Sequence, residues 1–417
     1  MRVVELFAGV GGFRLGLKNA SSDFEFVWCN QWEPGKKKQY AFDCYQNHFG
    51  VSTEHVNEDI GLVKDKVKDH DLLVGGFPCQ DYSVARTQAQ GMEGKKGVLW
   101  WHINDIIEQK TPKYVLLENV DRLIKSPSSQ RGRDFGVILR CLADKGYIVE
   151  WRVINAAEYG QAQRRRRIFI FAYHKNTDFY KNNEQLSGEE IVSTFGFFSR
   201  GFPIKNKTIE KSITFDISPE KYDSLVELSD EFENKFYSCG VMSNHNVYSR
   251  ECVPKEILEK PLSSIVEDIV DEKYFIDNEE DLKKWAYLKG AKRGARVKKS
   301  NGATYFYSEG AIAFPDPMDR PGRTMLTSEG KLNRCSHIIC DNNDRYRVLT
   351  PKECERLNGF EDDWTKDMPE SARYFTMGNA LVVPLVTVMG DILLSIDKPP
   401  REKTDKNISL EGIPVVS

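Results

Sequence analysis

The chain has 417 residues, 40% of them hydrophobic, which is enough for two or three domains around a sizeable core. A net charge of −3 argues against binding nucleic acid through bulk basicity and leaves any phosphate contact to local patches. No apolar run reaches the length of a membrane span, no signal-peptide pattern opens the chain, and the nine cysteines are scattered without a Cys-x-x-Cys pair. Those features exclude a disulfide framework and lead us to expect a reduced, cytoplasmic setting.

From residue 1 to about 173, short apolar runs alternate with helical patterns. Val3–Phe7, Phe26–Cys29, Leu72–Val74, Tyr114–Leu117, Ile148–Ile154 and Ile168–Ala172 read as strands. Gly35–Phe49, Val98–Gln109 and Asp134–Lys145 read as helices between them. The alternation predicts βαβ units and an α/β fold with a mostly parallel sheet, over a first domain of residues 1–180. Residues 181–345 have poor periodicity, with acidic stretches beside the basic run Lys289–Lys299, and read as a smaller, irregular second domain. Cys335-Ser336-His337-Ile338-Ile339-Cys340 contains three candidate metal ligands, but alternation along a strand accounts for it, and no metal site is expected. In the segment 346–396, Thr350 followed by Pro351 and Glu353 has the pattern of a capping box, on a helix running to about Asn358 and stopped by Gly359. A last helix is predicted over Val382–Ile396, and residues 397–417 have the composition of a disordered tail.

Several strand ends carry chemistry. The first runs into Phe7-Ala8-Gly9-Val10-Gly11-Gly12, where glycines let the backbone approach a ligand at the switch point of a doubly wound sheet. A dinucleotide fingerprint needs a further glycine where this chain has Arg14. Glu33, after the second strand, is placed to accept hydrogen bonds from ribose hydroxyls, and Asp59 is placed to meet an adenine amino group. Alone, such a loop is also an ordinary tight turn. Cys79 follows Pro78 beyond another strand and leads into a polar, glycine-containing segment. A lone cysteine is more often a small core residue. Glu118-Asn119-Val120 ends a further strand, where a carboxylate beside a nucleophile suggests acid–base work. In Gln163-Arg164-Arg165-Arg166-Arg167, strand alternation would place Arg165 and Arg167 on one face and Arg164 and Arg166 on the other.

The order Phe7–Gly11, Pro78–Gln80, Glu118–Val120, Gln163–Arg167 and Gly378–Asn379 resembles the motif order of the DNA (cytosine-5) methyltransferase family. Arg347–Phe360 is also similar to that family's segment before its terminal motif, so the likeness covers about residues 1–173 and 346–395. The resemblance implies a Rossmann-like S-adenosylmethionine-dependent catalytic domain, completed by the last helix, with residues 181–345 as a target-recognition domain. It implies a cofactor held by Phe7, Ala8, Gly9, Gly11, Gly12, Glu33, Asp59, Ile60, Pro78, Asn379 and Ala380. It makes Cys79 the nucleophile toward C6 of a flipped cytosine, sets Glu118 at N3 and Arg165 at O2 and Glu118, and leaves Arg167 to steady them, with Asn119 and Gln163 as supports. Gln80 and Ser83 would meet DNA, and the cations Lys292, Arg293, Arg296 and Lys298 would meet its phosphates. The implied partners are double-stranded DNA and a restriction endonuclease or defence system, around a monomeric enzyme. Two rivals stand beside this reading. An RNA methyltransferase of the same fold would lack so large an insert, and a silent DNA-binding relative would have lost Cys79, Glu118 or Arg165. The departures are Asp81-Tyr82-Ser83-Val84-Ala85 after the nucleophile and Ala380 where serine is common.

Overall fold

The computed structural model describes residues 1–77, 98–205, 211–297 and 302–397. Its main sheet contains β1 Arg2–Leu6, β2 Glu25–Asn30, β3 His55–Val56, β4 Leu72–Gly76 and β5 Tyr114–Val120. It continues through β6 Tyr147–Asn155, β7 Arg166–His174, β8 Ser212–Asp216, β9 Cys239–Ser243 and β10 Asn246–Arg250. The ten strands lie in the order β3-β2-β1-β4-β5-β7-β6-β9-β10-β8. Pairings from β3 across to β5 are parallel, as the βαβ pattern predicts. Those from β5 across to β8 are antiparallel. The sheet is therefore mixed rather than mostly parallel. Residues 156–165, between β6 and β7, are too few for the crossover helix that a parallel return requires.

From β1 the chain winds outward to β2 and β3, then returns past β1 to β4 and β5. That reversal sets a switch point between β1 and β4, the place where doubly wound, Rossmann-like sheets open a crevice. Neighbouring strand residues feed two cores. Val3, Leu72, Val74, Tyr114 and Leu116 belong to one, and Val4, Leu73, Val115 and Leu117 to the other. Helices Gly12–Ala20 and Val383–Asp397 contribute to the first, and Val98–Lys110 and Arg133–Asp144 to the second. The C-terminal helix thus completes a layer begun at the N-terminus. Gly16 makes this possible, because a β-carbon there would lie 2.6 Å from Val386 Cβ.

The sheet does not end near residue 180. β8, β9 and β10 lie within the stretch read as a second domain, yet β9 pairs with β6 through Val149↔Met242 to Arg152↔Cys239. Two small hairpins follow. β11 Lys292–Val297 pairs with β12 Thr304–Glu309, and β13 Ile338–Cys340 pairs with β14 Tyr346–Val348. His337 Nδ1 sits 3.0 Å from Glu329 Oε2. Among the described residues no group of three or more His, Cys, Asp or Glu side chains could hold a metal ion. Nor is any single helix there long and apolar enough to cross a membrane.

Candidate active site

A cavity of about 410 Å³ opens at the carboxyl ends of the parallel strands. Phe7, Ala8, Gly9, Val10, Gly12 and Phe13 line it after β1, and Gln31, Trp32 and Glu33 after β2. Gly76 of β4, Glu118 of β5, and Phe375, Thr376, Asn379, Ala380 and Leu381 from the C-terminal segment close it. The glycine loop is held from β2: Ala8 N–H donates to Asn30 O at 3.0 Å, and Gly9 N–H to Gln31 Oε1 at 2.7 Å. Phe7 and Gly9 have left-handed backbone, φ 54° and 57°, and the bulky Phe7 pays strain for that turn. Glu33 is fixed through its backbone, whose N–H and carbonyl both bond the Gln39 carboxamide at 2.8 and 2.9 Å. Burial raises the pKa of its carboxyl, partly offset by Lys36.

At the edge of this cavity stands a half-buried ion pair. Val120 pairs with Arg167 across the antiparallel β5–β7 ladder, so Glu118, two residues along the same face, is the diagonal neighbour of Arg167. Arg167 Nε lies 2.8 Å from Glu118 Oε1. Desolvation raises the Glu118 pKa above the ordinary carboxylate value, while Arg167 and Arg165 pull against it. Asn119, on the opposite face of β5, donates from Nδ2 to Phe77 O at 2.8 Å. It thereby pins the end of β4 next to the Pro78-Cys79 step.

Arg165 takes a position that its motif does not announce. It lies just before β7, 1% exposed, and donates to Met325 O at 3.1 Å and Gly378 O at 2.9 Å. It makes no bond to Glu118; Arg167 makes that contact, because Arg165 precedes the ladder that aligns the pair. Burial and the neighbouring Arg167 charge lower the Arg165 pKa. Gln163 is a second buried tie, accepting from Met325 N–H at 2.9 Å and donating to Asn358 Oδ1 at 3.1 Å. The expected alternation is present: Arg165 is buried and Arg167 half-buried, while Arg164 and Arg166 are exposed.

Phe7, Ala8, Gly9, Gly12, Glu33, Asn379 and Ala380 are thus brought together with Glu118 around one cavity. Gly11 is not among the lining residues. It precedes the first helix at φ 87°, and a β-carbon there would strike Phe49. Asp59 and Ile60 do not line the cavity either. The Asp59 carboxylate accepts Gly61 N–H at 2.9 Å as a helix cap, and Ile60 is core. Lys292, Arg293 and Arg296 lie on β11, which is not hydrogen-bonded into the main sheet. Pro78, Cys79, Gln80, Ser83 and Lys298 lie outside the described residues. Sequence reasoning missed Gln31, Trp32, Phe375 and Thr376 as lining residues. The only signal for the first two was their place directly before Glu33 at a strand end.

Residues 1–394 match the family model for C-5 cytosine-specific DNA methylase. The chain is 48% identical over 408 residues to the type II methyltransferase M.Sau3AI of Staphylococcus aureus, covering 95% of this chain and 96% of that one. It is 27% identical over 442 residues to the type II methyltransferase M.NlaIV of Neisseria lactamica, covering 94% and 99%. Among solved structures, the S. pombe Dnmt2 methyltransferase superposes with a TM-score of 0.57 at 17% identity, over 95% of this chain and 98% of that one. At that identity the likeness speaks for the fold alone. The family match along nearly the whole chain agrees with the motif order read from the sequence, and the chain belongs to the C-5 cytosine-specific DNA methylase family, as a methyltransferase of the type II restriction–modification kind.

Proposed function

We propose that the protein methylates C5 of a cytosine within a specific double-stranded DNA sequence, with S-adenosylmethionine as methyl donor and Cys79 as nucleophile. In the cell it would act as a cytoplasmic monomer that protects DNA beside a restriction endonuclease or defence system. The observation that carries this reading is the single cavity shared by the Gly9–Gly12 loop and Glu118. Its volume lies within the ~300–1,000 Å³ of small-molecule sites. Its lining suits the cofactor: aromatic surface on Trp32 and Phe375 for a base, the Glu33 carboxylate for ribose hydroxyls, and close backbone at Gly9. When bound, S-adenosylmethionine supplies an electrophilic methyl group on sulfur.

The remaining chemistry belongs to the chain and the base. C6 is shielded in a stacked duplex, so the cytosine must leave the helix. The Cys79 thiolate then forms a bond to C6, which breaks aromaticity and makes C5 enamine-like. A free thiol has a pKa of roughly 8.5, so the site must favour the thiolate. Glu118, kept protonated to higher pH by burial, gives its proton to N3 as negative charge develops, and Arg167 holds the carboxyl in place. After methylation the C5 proton passes to solvent water, its electron pair forms the C5=C6 bond and expels the Cys79 thiolate, and the N3 proton returns to Glu118, so the ring and both side chains are restored. Cys79→Ser should bind S-adenosylmethionine normally yet transfer no methyl group. DNA carrying 5-fluorocytosine at the target should form a covalent adduct with the parent and none with this variant. Parental turnover by Cys79→Ser would refute the mechanism.

A further inference from the structure

β11 and β12 form a two-stranded ribbon that shares no hydrogen bonds with any other sheet, which is ordinarily marginal in water. Its two faces differ. Opposite residues in an antiparallel pair share a face, so Lys292, Gly294 and Arg296 stand with Glu309, Tyr307 and Tyr305. The other face carries Arg293, Ala295 and Val297 with Ser308, Phe306 and Thr304.

The first face is partly covered by its own neighbours, although Gly294, Arg296 and Tyr305 on it remain exposed. Arg296 stacks 3.6 Å over the Tyr307 ring, Lys292 lies 4.9 Å from the Tyr287 ring, and Glu309 pairs with Arg334 at 3.0 Å. On the second face all six residues are exposed, Phe306 at 89% and Val297 at 63%. Among the described residues Arg293 makes no ion pair. A bare apolar strip with one unpaired guanidinium at its end matches the needs of base-edge reading. Arginine bonds guanine O6 and N7, while phenylalanine, alanine and threonine methyl groups contact the thymine methyl, and a major groove admits a two-stranded ribbon.

The base of the ribbon is built to hold an orientation. Arg334 donates to Leu288 O and Gly290 O on the incoming side at 3.2 and 3.0 Å, and to Gly310 O on the outgoing side. Lys289, which sequence reading groups with the basic run, is buried on Asp316 at 2.8 Å, and Arg323 bonds the same carboxylate at 2.8 Å. The residue before Arg323, Gly322, accepts from Arg164 N–H and donates to Ala162 O, both at 2.8 Å. The ribbon root is therefore tied through a few bonds to the segment that bears Gln163 and Arg165.

We infer that the Arg293–Val297–Phe306 face of this ribbon enters the major groove of the target duplex and reads bases, while Lys292 and Arg296 brace the ribbon from behind. The inference rests on the reading that the enzyme methylates duplex DNA. Its charge agrees, since the described ribbon residues carry Lys292, Arg293 and Arg296 against Glu309 alone, which Arg334 neutralises. The test uses the full chain and the site defined by bisulfite sequencing of DNA methylated by the parent. Phe306→Ala and Arg293→Ala should each lower kcat/KM on that site by about 5- to 150-fold, the range of one lost base contact. Each should also begin to tolerate substitution at one base pair. Cofactor affinity should stay parental in both, because neither side chain supports the core, and Val51→Ala, equally exposed elsewhere, should behave as the parent. Parental kcat/KM and an unchanged site in both variants would overturn this inference alone. A dimeric parent that Phe306→Ala splits would give the face to a second copy and overturn it too. A parent that transfers no methyl group to DNA would overturn the proposed function with it.

Discussion

Gly378 lies one residue before the end of the helix Glu370–Asn379, where the C-terminal segment closes the cavity. A β-carbon there would sit 2.4 Å from Thr327 N and 2.5 Å from both Leu326 C and Thr327 Cα. Gly378→Ala therefore sets two effects against each other. Alanine gains about 1 kcal/mol in helix propensity. Against that, these Leu326 and Thr327 atoms are backbone and cannot swing aside, and overpacking of this kind costs about 1–3 kcal/mol. Pushing the helix away also strains the 2.9 Å bond from Arg165 to Gly378 O, and bonds from charged donors contribute about 1.5–3 kcal/mol. The balance is a net loss of about 1.5–5 kcal/mol. Because Thr376, Asn379 and Ala380 shape the cavity wall, affinity for S-adenosylmethionine should fall along with stability. Urea denaturation without cofactor and calorimetric titration with it would measure the two effects. A variant as stable as the parent, with unchanged affinity, would show that the 325–327 segment yields freely and that the close approach has no role.

Glu33→Ala should weaken S-adenosylmethionine binding by about 10- to 150-fold, the loss of one charge-assisted bond of about 1.5–3 kcal/mol, with kcat at saturating cofactor little changed; equal calorimetric affinity would remove Glu33 from the ribose. Arg167→Ala removes a charge that lowers the Glu118 pKa, so the limb of the kcat–pH profile that falls as Glu118 ionises should move to higher pH; an unmoved limb would mean that another group titrates there. Glu5 is buried, and desolvation raises its pKa from 4.5 to about 7. Between those values the unfolded chain ionises and the folded one does not, so stability falls as pH rises from 4.5 to 7. At 1.36 kcal/mol per pH unit, the difference corresponds to about 3 kcal/mol. Glu5→Gln should abolish that slope in denaturation measured at pH 5 and pH 8, and parallel curves for parent and variant would contradict it.

In the parallel half of the sheet, β1, β2, β4 and β5 were legible because they are short apolar runs separated by helical periodicity, whereas β3, only His55–Val56 and half-buried, is too short to leave a pattern. Val98–Gln109 and Val382–Ile396 were expected where Val98–Lys110 and Val383–Asp397 are found. The Thr350 capping box is present with both its bonds, since capping chemistry is local. The helix over Gly35–Phe49 instead begins at Tyr40, because Gln39 ties back to Glu33 and Lys36 and holds the preceding residues as a turn. β9 and β10 escaped notice because their turn is Asn244-His245, both at positive φ, in place of the usual glycine-bearing pair. β11 was hidden by Gly294 and Ala295, poor strand formers that rely on pairing with Thr304–Tyr307. At the site, Glu118 and the glycine loop were readable as strand-end motifs. The partners of Arg165 and Gln163 were not, since they lie about 160 to 213 positions away in the chain.

The pairing of β6 with β9 bears on how such an enzyme can be cut and rejoined. A chimaera that exchanges everything after residue 180 removes the strand covering Val149–Arg152. It would leave an apolar strand from the middle of the sheet with a bare row of amides and carbonyls, the arrangement that recruits neighbouring chains into aggregates. The natural seam lies past Arg250, where β10 has already been laid down and the backbone leaves the sheet. If target specificity resides in the ribbon region, as we propose, grafts that begin beyond that point keep the main sheet sealed, and only the remainder of the insert is free to be traded between enzymes.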